Sequence, residues 1–290
     1  MRRCPLCESE GRMIYKLNTL IVLQCPSDGM RYVSWRGIRK CDLWEKLVGD
    51  VNFSSVEKVY DKNRKAYFAE ANAKVKKIQG MLAVPSPRSL DVGAGCGFFV
   101  FSARKNGWQA EGIEPDEILA GYAMRKLGVE LLRMRFEEVK ELGTFDVITL
   151  WGVIEHIERP LAALRQVSVM LREGGIVALQ MPTADSLYDA VAAALYRLSL
   201  GLCRTPVGLL YSANHINRFS PGTIAEALLK AGLEVCGIER AGSDPEILAD
   251  TYGKWGRKLI SRSIISFLDR ISRLIGRSNQ IRVYARKKNR

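Results

Sequence analysis

From residue 86 onward, short apolar runs alternate with stretches whose apolar positions recur at helical spacing, which predicts a mostly parallel sheet covered on both faces. Strand-like runs fall around Leu90 and Val92 and at 109–113, 129–132, 144–151, 176–181, 233–239 and 280–285. Between them, helical patterning covers about 96–106, and again a stretch opening at Pro160, whose stripe Leu161, Leu164, Val167 and Leu171 closes on E-G-G. Upstream, Val59, Phe68, Ala71, Val75 and Ile78 mark a helix over 56–81 that ends at Gly80, followed by the proline-flanked linker P-S-P at 85–87.

These patterns divide the chain into a cysteine-bearing segment at 1–50, a helical cover and linker at 51–85, and a main α/β domain at 86–290. Two insertions interrupt the main domain. The first, 184–213, is apolar and reads either as a lid over a substrate pocket or as a packed helical hairpin. The second, 244–276, carries Trp255, Leu259, Ile260, Ile264, Phe267, Leu268, Ile271, Leu274 and Ile275 on one helical face against Lys258, Arg262, Arg270 and Arg273 on the other, with Arg277 just beyond it.

The stretch S-L-D-V-G-A-G-C-G-F at 89–98 reads as a buried strand, a glycine turn and a helix start. A dinucleotide fingerprint needs G-x-G-x-x-G, and counting from Gly93 and Gly95 places Phe98 at the third glycine. The next strand ends in G-I-E-P-D, with Glu114 placed 23 residues after Asp91. A carboxylate there can accept from both hydroxyls of a ribose and repels a 2′-phosphate.

Charge and cysteine content narrow the picture further. The chain has 290 residues and a formal net charge of +13. Residues 251–290 hold 12 Lys and Arg against the single acid Asp269, a balance of +11. The basic amphipathic face there is open to three readings: a core-packed helix with a solvated side, an element on an anionic membrane surface, or a nucleic-acid contact. Seven cysteines and an opening without an apolar signal region make a cytoplasmic protein the expectation, with thiols or metal rather than disulfides. Cys4 and Cys7 form a C-P-x-C knuckle, and Cys25 follows in C-P-S-D-G. The second knuckle has Asp28 in place of a cysteine, so Cys4, Cys7, Cys25 and Asp28 are the candidate zinc ligands, with Cys41 as a substitute. A degenerate ribbon packed without metal is the alternative.

The D-x-G-x-G-x-G turn resembles motif I of the class I S-adenosylmethionine-dependent methyltransferases. The run D-V-I-T-L-W-x-V-I-E-H through L-R-E-G-G-I-V-A-L-Q-M-P, with H-I-N-R-F-S-P-G-T-I-A-E-A-L-L-K-A-G-L-E-V at 215–235, is similar to the ubiquinone-type O-methyltransferase group. The resemblance implies a Rossmann-like seven-stranded sheet whose last strand is antiparallel, and S-adenosylmethionine as cofactor. It further implies that Asp91 and the turn Gly93, Ala94, Gly95, Cys96 and Gly97 hold the methionine end, Glu114 the ribose, and Trp151 a wall of the site. Arg135 and Phe136 stand where relatives often carry an acid or amide for adenine, which leaves adenine recognition to backbone and ring stacking.

His156 and His215 are the only two histidines, and both fall at the predicted mouth. An imidazole suits removal of a proton from an acceptor hydroxyl, so both are candidate catalytic residues, each with an alternative role of fixing a loop. Some relatives bind a divalent cation through E-x-x-E-H; Gly152 replaces the first acid here, and a metal-independent reaction is expected. The acceptor expected is a small-molecule, lipid-linked or glycan-precursor compound. The rival is ribosomal RNA, because the amino-terminal ribbon resembles that of bacterial rRNA guanine methyltransferases and the chain is basic. A non-catalytic cofactor-binding scaffold is the third reading.

Overall fold

The computed structural model describes residues 2–18, 20–35, 53–140, 142–211, 215–242 and 262–288. Cys41 and residues 244–261 of the second insertion, with Trp255, Leu259 and Ile260, lie outside the described residues.

The main sheet is built from β4 (Arg88–Val92), β5 (Gln109–Ile113), β6 (Phe145–Trp151), β7 (Leu171–Pro182), β9 (Leu233–Ala241) and β10 (Gln280–Lys287), in the order β5-β4-β6-β7-β10-β9. β4, β5, β6 and β7 run parallel, and β10 is antiparallel to both β7 and β9. Among the described residues the sheet has six strands where the resemblance implies seven, and its last strand is antiparallel as the resemblance implies. Where a third strand is expected at 129–132, only an isolated parallel bridge joins Leu132 to Ile113. The chain leaves the edge there because Arg135 turns into a short helical segment, Phe136–Glu138, whose Glu138 carboxylate accepts the Arg135 N–H at 2.9 Å.

Helices α3 (Phe98–Lys105), α4 (Glu117–Tyr122), α5 (Pro160–Met170) and α8 (Pro221–Lys230) connect these strands. The helix expected over 56–81 is two, α1 (Phe53–Lys62) and α2 (Arg64–Gln79). Asn63 breaks it: its backbone leaves the helical region, and its side-chain amide bonds back to the Val59 carbonyl at 3.1 Å, a local competitor of the helix ladder.

The amino-terminal strands β1 (Arg12–Lys16), β2 (Leu20–Gln24) and β3 (Arg31–Trp35) form an antiparallel sheet completed by β8 (Asn217–Arg218) from the far end of the chain. The first insertion spends its apolar face on this sheet. Helices α6 (Leu187–Leu198) and α7 (Thr205–Leu210) bring Ala192, Val207 and Tyr211 against Tyr15, Leu17, Leu20, Val22 and Val33. The described part of the insertion packs on this sheet as a helical hairpin.

The two sheets share one core: Leu23, Met30 and Tyr32 of the small sheet pack in the same buried cluster as Ile148, Leu179, Phe219 and Ile224 of the main domain. Phe219 is fully buried at this junction. Phe219→Ala is expected to cost about 3–5 kcal/mol of stability. Because the core is continuous, the loss appears as a shift of one cooperative transition in urea. A separate early unfolding of the amino-terminal sheet would contradict a shared core.

Candidate active site

The carboxyl ends of β4, β6 and β7 meet the α1–α2 pair around a cavity of about 270 Å³. Open parallel sheets bind ligands at this edge. β4 delivers Asp91, and the turn after it delivers Gly93, Ala94, Gly95 and Cys96 to the lining. At Gly93 (φ 66°) an added Cβ would lie 2.6 Å from the Val153 side chain, so only glycine fits the sharp exit from the strand. At Gly95 (φ 54°) a Cβ would meet open space, the room that a bound molecule needs to approach the backbone.

Glu114 holds this turn from beneath. One of its oxygens accepts the Gly95 N–H at 2.8 Å and the other the Asp116 N–H at 2.9 Å. It is nearly buried, and burial raises its pKa while those two N–H groups lower it. Glu114 and Gly97 are absent from the cavity lining among the described residues; Gly97 is the positive-φ N-cap of α3.

Several lining groups escaped the sequence reading because their partners are remote in the chain. Lys74 of α2 sits 4.3 Å from the Trp151 ring centre and 3.0 Å from Glu70. Glu70 also meets Arg282 at 2.9 Å, and Arg282 donates to Gln180 at 2.8 Å. Burial lowers the Lys74 pKa, against the raising effect of Glu70. The heptad-like spacing of Glu70 and Lys74 was the one available signal, an i,i+4 pair. Tyr60 and Tyr67 complete the mouth, with Tyr67 stacked at 5.2 Å on Phe98.

Trp151 and Glu155 also line the cavity. The Trp151 indole N–H and one Glu155 carboxylate oxygen, Oε2, are buried with no hydrogen-bond partner among the described residues. Such orphans are costly in a finished interior and suit a place that a ligand occupies. Burial raises the Glu155 pKa, against the effect of His156. His156 and His215 come together with ring centres 5.0 Å apart, beside Glu155 and outside the lining. Burial, then the neighbouring His156, lowers the His215 pKa to about 3. Glu155, His156 and His215 place donor atoms within 4.8 Å of one another. Two imidazoles and one carboxylate do not suit magnesium, which takes oxygen ligands.

In the amino-terminal segment, Cys4, Cys7, Cys25 and Asp28 likewise bring one donor atom each within 4.8 Å. The Cys4 thiol donates to Asp28 at 3.2 Å, and the Cys7 and Cys25 sulfurs are 3.4 Å apart.

A family described as a methyltransferase domain matches residues 58–236, well over half of the chain. The chain belongs to this family. It carries a methyltransferase domain on a class I methyltransferase fold. Among relatives, it is 31% identical over 99 residues to the tRNA U34 carboxymethyltransferase of Psychromonas ingrahamii, covering 31% of this chain and 30% of that one. The chain thus spans about a third of the length of such tRNA-modifying relatives. It is 25% identical over 175 residues to the ubiquinone biosynthesis O-methyltransferase of Methylococcus capsulatus, covering 58% and 72%. A structure of a possible histamine N-methyltransferase of Thermotoga maritima shares the fold, with TM-score 0.53, 19% identity and coverage of 86% and 100%.

The residues present fit this family's cofactor: a buried carboxylate for its cationic end, an open glycine turn, and a ring wall with an unpaired N–H. Asp91 is buried, accepts the Thr149 hydroxyl at 2.6 Å, and has its pKa pushed up to about 7 by burial, with Thr149 and Lys74 opposing and Glu114 adding. An unfolded aspartate ionises near pH ~4. The folded one keeps its proton to about pH 7, so this group makes the ligand-free protein less stable as pH rises between the two. A cationic ligand prefers the ionised form. Cofactor affinity is therefore expected to rise with pH, by up to about tenfold per unit, and to level off above about 7. Asp91→Asn should lose both affinity and slope; calorimetric titration across this range checks it, and a flat wild-type profile would refute it.

Proposed function

We propose that this chain methylates an oxygen, or alternatively a carbon, of a small-molecule, lipid-linked or glycan-precursor acceptor. The observation that carries this reading is Glu155: a buried carboxylate with an unpartnered oxygen facing the same cavity as Asp91 and the glycine turn. S-adenosylmethionine supplies an electrophilic methyl carbon when bound. Asp91 and the turn hold its methionine end, Trp151 and the α1–α2 aromatic residues exclude water, and Glu155 accepts the proton of the acceptor hydroxyl. The rise in its pKa on burial moves Glu155 toward the range in which a carboxylate is an effective base. His215, with a pKa near 3, stays neutral and serves with His156 to position the Glu155 loop.

Transfer of labelled methyl into host extract, separated into lipid, soluble-metabolite and RNA fractions, tests the acceptor class. Label is expected in lipid or metabolites, undiminished by EDTA because the reaction needs no divalent cation. Glu155→Gln is expected to lower the rate by about 10²–10⁴-fold with cofactor binding retained. A second reading, an RNA acceptor, is favoured by the tRNA-modifying relatives and the net charge of +13. Label confined to RNA would establish it in place of the first. Cofactor binding without transfer into any fraction would leave the non-catalytic scaffold.

Peripheral contact with an anionic membrane surface belongs to the same proposal. Helix α9 (Arg262–Leu274) and the turn after it expose Phe267, Leu274 and Ile275 beside Arg270 and Arg273. No helix among the described residues is long and apolar enough to cross a membrane.

Structural zinc at Cys4, Cys7, Cys25 and Asp28 is the remaining element. Three thiols and a carboxylate converging at two turns are a tetrahedral donor set, and such a site anchors a segment with a small core of its own. Purified protein is expected to carry one zinc per chain by elemental analysis. Cys25→Ser should lose it with a lower melting temperature, and a metal-free wild type of unchanged stability would dismiss the site.

A further inference from the structure

The geometry points to a binding site for a phosphate-class anion in a second cavity, of about 290 Å³, lined by Arg31, Arg197 and Arg277. It lies between the amino-terminal sheet and α6, with Tyr15 and the small residues Ala190 and Ala193 completing the wall. Three guanidiniums and one carboxylate, Asp189, line it. That carboxylate is already engaged: Arg218 donates to it through two nitrogens, and the Tyr211 hydroxyl and Ser186 hydroxyl also donate. Nearby Asp185 is similarly held by Arg240 at 2.6 Å. Arg197 and Arg277 form no ion pair among the described residues, and both are exposed toward solvent. The cavity therefore has a positive surplus, in guanidinium groups whose forked geometry matches phosphate oxygens.

The position of the cavity connects it to the acceptor. Met181 and Gln280 line the cofactor cleft, while Ala184 and Arg277, three residues away on the same two segments, line this one. Three residues of chain span at most about 10 Å. The two segments are joined by Thr183 N–H to Asn279 C=O at 3.0 Å and Leu187 N–H to Arg277 C=O at 2.9 Å. A molecule that seats a phosphate here can reach the cleft around that shared wall. Leu198, Leu200 and Leu202, 85%, 92% and 82% exposed, follow Arg197 in the chain and leave apolar surface next to it in sequence. The site thus deepens the reading of a small or lipid-linked acceptor, on which it rests, by assigning that acceptor a phosphate or diphosphate group.

Sodium pyrophosphate titrated calorimetrically into the full-length protein saturated with S-adenosylhomocysteine tests the site without turnover. Saturable binding is expected, weakened about tenfold by Arg197→Gln and by Arg277→Gln, the loss of one charge-assisted contact each. Arg133→Gln, a remote surface change, should leave it unchanged. Equal binding by all variants, or none by wild type, overturns the site. Flotation with phosphatidylglycerol vesicles separates the sources of the anion. Vesicle binding lost in Arg197→Gln and competed by pyrophosphate assigns the site to a lipid headgroup. Pyrophosphate binding lost in Arg197→Gln with vesicle binding unaltered assigns it to a free phosphorylated compound. Pyrophosphate binding alongside label only in RNA would retain the anion site and reject the acceptor class, whereas methylation of a metabolite without pyrophosphate binding would do the reverse.

Discussion

Arg31 and Arg218 stand directly opposite each other where β3 pairs with β8, an arrangement of like charges that repels by itself. Asp189 resolves it. Its carboxylate takes Arg218 in a forked contact and lies 3.7 Å from Arg31, nearly out of reach of water. That one side chain ties the amino-terminal sheet, α6 and the strand returning from the far end of the chain into a single lobe. Truncating Asp189 or Arg218 would strand a charge in the interior, because both are nearly out of reach of water. The junction is thereby specified by charge as well as by apolar fit.

With the lobe fixed, the cofactor cleft is a product of strand ends and borrowed cover. The sheet alone presents Asp91, the glycine turn, Trp151 and Glu155 at one edge, while α1 and α2 close over them with tyrosines and the Lys74–Glu70–Arg282 network. Glu114 works at one remove, since its oxygens are used on backbone N–H groups that shape the turn. The lining groups differ in character. Some are cationic and aromatic, and another is a buried carboxylate with spare accepting capacity, which separates the group that orients a ligand from the group that can take its proton.

The elements of the main sheet were legible because each is encoded locally. The strand at Leu90 and Val92 and the apolar run ending at Trp151 need only a short window of sequence, whereas the antiparallel direction of the end strand came from the family resemblance. The glycine turn was legible for the same reason, since positive φ and close approach leave few residue choices. What escaped was everything set by pairing across distance. Nothing near Asn217 signals that it will extend a sheet begun 185 residues earlier at Tyr32. The apolar face of α6 is equally compatible with a mouth or a sheet, and only the face of β2 carrying Leu20 and Val22, which packs against it, decides between them. Asn63 was hidden inside a helical stripe whose periodicity continues across the break. His156 and His215 drew attention by their chemistry, while Glu155, adjacent in sequence, is the one turned into the cavity.

The placement of β10 sets the order in which this protein can be completed. Residues 280–287 lie between β7 and β9 and bond to both, although β9 precedes them in the chain. Until they insert, β7 and β9 each carry an open edge, and the cleft lacks Gln280 and the Arg282 that steadies Glu70. Long-range closure of this kind is slow and leaves strands open to wrong partners. A chain in which residues 280–287 have yet to insert would thus hold a formed glycine turn and no finished cleft, so that the cleft is completed only when the sheet closes.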